Sequence, residues 1–76
     1  MSGSVERDIE KDVATSYFVE TLRRLADALE AGESFRIQVA NARFTVPADA
    51  SLIIEHEVSD GNEELALELQ WSKTED

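Results

Sequence analysis

The chain has no cysteine, one proline, three glycines, one histidine and one tryptophan in 76 residues. Without cysteine it can form no disulfide, no thiolate metal site and no thiol nucleophile. No glycine-rich loop able to cradle a phosphate is present, and no internal repeat or low-complexity tract interrupts the chain. Long apolar runs are missing as well. None approaches the roughly 18 residues needed to cross a bilayer. The N-terminal MSGSVERDIEKD is charged and has no continuous apolar stretch of the kind a secretory signal requires. These absences point to a cytoplasmic chain.

Positive charge is also scarce. Seven Lys and Arg stand against 17 Asp and Glu, a formal net charge of -10. Such a field repels phosphate backbones and anionic lipid, so neither nucleic acid nor membrane is expected as a direct partner. High acidity alone would suggest disorder, but 42% of the residues are hydrophobic and fall in periodic runs that can fold. Lys11 and Lys73 are the only lysines. Strong negative charge with few lysines fits a halophilic protein, because at 1 M salt screening over about 3 Å removes most self-repulsion. At this length a single core supplies only about 3–5 kcal/mol without staples or partners. A homo-oligomer, most simply a dimer, is therefore expected.

The periodicity predicts one domain over 5–72 with short tails at 1–4 and 73–76. Val5, Ile9 and Val13 alternate with acidic residues as an edge strand would, though Arg7 and Lys11 interrupt the apolar side. Thr15 or Ser16 then offers an N-cap for a helix to Ala31, closed by Gly32. Phe18, Leu22, Leu25, Ala26 and Leu29 form its apolar stripe. After Gly32 the period becomes 2. Phe35, Ile37 and Val39 lead through Ala40-Asn41 to Ala42, Phe44 and Val46, with Ile37 opposite Phe44 and Gln38 opposite Arg43. Pro47 to Ser51 connects to a strand whose Leu52, Ile54, His56 and Val58 share a face. Asp60-Gly61 turns the chain into a last strand, where Leu65, Leu67, Leu69 and Trp71 share a face.

This pattern predicts an α+β fold in which one helix packs on a mainly antiparallel four- to five-stranded sheet, in β-α-β-β-β-β order. The helix is expected across the apolar face. The opposite face then carries Arg36 and Arg43 on one hairpin, with Glu55, Glu57, Glu64 and Glu68 on the other beside Ile53 and Ala66. A basic side and an acidic side complement each other across a two-fold axis. Arg36, Arg43, Ile53, Glu55, Ala66, Glu68 and Trp71 are the expected interaction surface, for a second copy or another protein.

The run LRRLADALEAGE (Leu22 to Glu33), the FTVP step (Phe44 to Pro47) and the terminal ELALELQW (Glu64 to Trp71) resemble the amphi-Trp domain family. The resemblance covers about residues 16 to 72. It implies a small acidic domain of the kind frequent in haloarchaea, with Trp71 as the signature tryptophan of an amphipathic strand. It implies no reaction and transfers no catalytic residue.

Nothing else in the chain carries a reaction by itself. Trp71 continues the parity of the leucines, as a core residue would, or else stands at the rim as a hot-spot anchor. His56 lies between Glu55 and Glu57, but strand geometry turns both glutamates to the other face. Glu55, Glu57, Glu64 and Glu68 could attract a hard cation, but a flat sheet spaces their oxygens too widely for calcium or magnesium. Arg23, Arg24, Arg36 and Arg43 read as salt-bridging or snorkelling residues. No catalytic, metal or cofactor site is therefore expected, and the chain reads as a non-enzymatic interaction module. The alternative is a small ligand-binding protein or minimal enzyme using His56 with a carboxylate such as Asp49 or Glu20. A pocket of some 300 Å³ containing His56 would favour that alternative.

Overall fold

A computed structural model describes residues 6–73 and places α1 at Thr15–Ala31, β1 at Phe35–Val39, β2 at Ala42–Val46, β3 at Ser51–Ser59 and β4 at Asn62–Gln70. The expected tail at 1–4, Val5 and residues 74–76 lie outside the described residues.

The helix ends where Gly32 takes up a left-handed conformation, φ 68° and ψ 33°. The Gly32 N–H donates to the Leu29 carbonyl and the Glu33 N–H to the Ala28 carbonyl, at 3.2 and 2.9 Å. This paired closure satisfies carbonyls that the last turn leaves open. The N-terminus differs from the expectation. Ala14, not Thr15 or Ser16, occupies the cap in an extended conformation, with no side-chain cap. The helical hydrogen bonding starts with the Phe18 N–H donating to the Ala14 carbonyl, so both hydroxyl residues already lie inside the first turn.

Residues 6–14 form no strand. Their apolar parity is broken by Arg7, whose guanidinium instead donates to the Val39 carbonyl at the end of β1. Ile9 and Val13, the two apolar residues of the pattern that are described, stay exposed.

Both hairpins keep the expected register. β1 pairs antiparallel with β2, Ile37 opposite Phe44 and Gln38 opposite Arg43. β3 pairs antiparallel with β4, Ser59 opposite Asn62 across the Asp60-Gly61 turn. The expected single sheet does not form. Two separate two-stranded sheets, β1-β2 and β3-β4, take its place. The link between them is a turn in which the Ala50 N–H donates to the Pro47 carbonyl, and Pro47 has no N–H to offer a ladder. Strand length also differs, five residues in the first hairpin against nine in the second.

The helix belongs to the first hairpin. The Arg24 guanidinium lies 5.1 Å from the centre of the Phe35 ring and donates to the Arg36 carbonyl at 3.2 Å, a cation–π contact joined to a backbone anchor. Phe35 and Val46, directly opposite in the ladder, are the buried hydrophobic residues of the described chain, each 7% exposed. The helix has no buried residue. The half-buried ones, Thr21, Leu25 and Ala28, lie on one flank of the apolar stripe, while Phe18, Leu22 and Leu29 on the other flank remain exposed.

This arrangement leaves a great deal of surface in contact with solvent. The accessible area is 6961 Å², whereas a folded monomer of 8.5 kDa exposes about 4,650 Å². Part of the excess comes from 6–14, exposed throughout. The radius of gyration is 14.5 Å, against about 11.4 Å for a compact chain of this length.

Candidate functional site

The five most exposed large hydrophobic residues of the described chain lie on one face of the β3-β4 hairpin. The ladder sets Leu52 opposite Leu69, Ile54 opposite Leu67, His56 opposite Leu65 and Val58 opposite Glu63. All eight point to the same side, because alternate residues of a strand share a face and directly paired residues lie side by side. Leu52, Ile54, Val58, Leu65 and Leu67 are between 58% and 77% exposed. The helix expected over this face is held on the first hairpin by Arg24 and by the short Gly32–Ser34 link. Monomeric soluble domains rarely leave a contiguous apolar face of this extent open.

The residues expected to form an interaction surface divide between the two hairpins. Arg36 stands opposite Thr45, and Arg43 opposite Gln38. Both arginines line a cleft of about 340 Å³ together with Arg24, Tyr17 and Gln38. Ile53 stands opposite Glu68 and Glu55 opposite Ala66 on the second hairpin. Ile53, Ala66 and Glu68 are half-buried there, and Glu55 is exposed. Glu57 and Glu64 face each other directly, a like-charge pair that opposes hairpin formation. Among the described residues no arginine pairs with a carboxylate, and the ion pair present is His56 Nε2 to Glu63 Oε2 at 2.8 Å.

Trp71 joins the two hairpins. Its ring stacks on Phe44 of β2 at 6.4 Å between centroids and 30° between planes. It contributes no buried closure against the helix, and both rings remain partly exposed. A cleft of about 840 Å³ opens beside it, lined by Thr45, Pro47, Asp49, Ser51 and Gln70 among others.

His56 is not in that cleft. Asp49 lies beyond the opposite end of β3 from His56, about 20 Å away along an extended strand. The partner of His56 is Glu63, and the two side chains are 63% and 71% exposed. Glu63 escaped the sequence reading, although the Asp60-Gly61 turn fixes its register: a two-residue turn puts Val58 opposite Glu63, diagonal to His56 on the same face. Among the described residues no group of three or more His, Asp or Glu side chains could hold a metal ion. No helix is long and apolar enough to cross a membrane.

Comparison of the chain with known protein families, with curated proteins and with solved structures matches none of them.

Proposed function

We propose that this chain is a non-enzymatic self-associating module, adapted to concentrated salt, whose contact surface is centred on the open face of β3-β4. The observation that carries the reading is the exposure of Leu52, Ile54, Val58, Leu65 and Leu67 on one face. These residues lie in a chain with two buried hydrophobic residues among those described. Burial of apolar area contributes about 25 cal/mol per Å², and this face is where the area lies.

The glutamates of β3-β4 other than Glu63 stay off this face. Arg24, Arg36 and Arg43 share a cleft without a carboxylate partner among the described residues, while Glu57 and Glu64 oppose each other. Membership of the amphi-Trp family belongs to the same reading and rests on the three segments quoted above, as does the salt adaptation on the net charge.

Leu65→Glu is the direct test. A charge in an apolar contact leaves a desolvated carboxylate without a partner, so the variant should shift from associated to monomeric in sedimentation equilibrium at high KCl. Association equal to that of the natural chain would show that this face is not the contact.

A further inference from the structure

The apolar face of β3-β4 has no cover within its own chain. We infer that it is covered by the helix of a second copy, reciprocally, so that each copy lends its second hairpin to the other. This rests on the self-association reading but goes beyond it by naming the two surfaces that meet.

Two apolar surfaces are open in the same chain: the hairpin face, and the helix flank of Phe18, Leu22 and Leu29. Their dimensions match. From Phe18 to Leu29 the helix rises about 16 Å at 1.5 Å per residue, and it is about 10 Å wide. From Leu52 to Val58 the strand rises about 20 Å, and two strands set about 4.8 Å apart make a ribbon close to one helix diameter across. Two hairpin faces packed on each other would cover one of these surfaces and leave both helix flanks in water. Helix on hairpin and hairpin on helix cover both at once, through two identical contacts related by a two-fold axis.

Three further features agree. The half-buried Thr21, Leu25 and Ala28 lie on the helix flank next to Arg24, which anchors the helix to β1, so the partner's hairpin would lie beside β1-β2 under one helix, restoring across two chains the helix-over-four-strands layer that the sequence predicts. Of the hairpin's glutamates only Glu63, paired with His56, shares the contact face, while Glu55, Glu57, Glu64 and Glu68 occupy the opposite one, so the contact presses none of those four against the helix. The Pro47–Ala50 link, closed as a turn with no hydrogen bonding between β2 and β3, leaves the second hairpin off its own helix, with Trp71 stacked on Phe44 between the two hairpins. Exchange of an identical element through such a connection is a low-cost route to a dimer.

The absence of cysteine makes the test clean. Leu22→Cys and Ile54→Cys are prepared singly and together, checked for fold by circular dichroism in high KCl, and treated with a short bismaleimide. Exchange predicts that the double variant becomes a covalent two-chain species and that a mixture of the two single variants cross-links to each other. Efficient linking of Ile54→Cys to itself would place hairpin on hairpin, overturning the exchange while leaving self-association intact. A double variant that closes within one chain and sediments as a monomer would overturn both. Should either substitution prevent folding, Leu29→Cys with Leu67→Cys probes the same two surfaces with the same outcomes.

Discussion

Individual backbone positions divide into those the sequence announces and those it hides. Gly32 announces itself: a glycine after a helical stripe marks a left-handed cap, and its φ is 68°. Ala40 does not. The alternation of apolar residues locates the turn at Ala40-Asn41, but Ala40 adopts φ 55°, a region where its Cβ crowds the following carbonyl at a cost of about 1–2 kcal/mol. The Gln38 side chain supports the turn by donating to the Ala40 carbonyl at 3.1 Å. Ala40→Gly should therefore raise the unfolding free energy, by about 1 kcal/mol after glycine's extra unfolded-state entropy is set against the strain. Chemical denaturation in high KCl measures it, and a loss of stability would mean that the turn carries no strain. The exposed His56–Glu63 pair is legible only in part, because residue spacing shows His56 on the leucine face while the diagonal partner follows from the turn register.

At the scale of elements, strand alternation and turn residues define both hairpins and their registers, and the helical stripe with its glycine defines α1. The separation of the sheets is not legible, for a physical reason. Alternation states which face a residue occupies and says nothing of which strand lies beside which. The first nine described residues mislead in a different way, since Ile9 and Val13 keep strand parity while Arg7 seeks the Val39 carbonyl. The same registers carry a prediction. Glu57 stands directly opposite Glu64, so Glu57→Arg replaces a cross-strand repulsion with an attraction of about 0.2–1 kcal/mol. The variant should unfold at a higher temperature and, because Glu57 faces away from the open apolar side, retain the association state of the natural chain. Loss of association on this substitution would place the acidic face inside the contact.

For the whole molecule, two features pull in opposite directions: an apolar surface that favours association and a net charge of -10 that opposes bringing two copies together. The Debye length falls from about 10 Å at 0.1 M salt to about 3 Å at 1 M, so salt should decide the balance. Thermal unfolding followed by circular dichroism is expected to show a markedly higher midpoint at 1 M than at 0.1 M KCl, and a midpoint independent of salt would argue against adaptation to it. Length and composition lead to the expectation of a partner, because a core this small stabilises a chain only weakly. They do not show where a partner would sit, because the sequence reading gives the helix to the leucine face of its own hairpin, and the fold leaves that face open.

The most direct test is the mass of the folded particle, by light scattering coupled to size exclusion in high KCl. Self-association through the open face predicts a folded species at twice the 8.5 kDa chain mass. A folded, stable particle of 8.5 kDa, unchanged as concentration rises, would contradict the account and show that the leucine face of β3-β4 is tolerated in water.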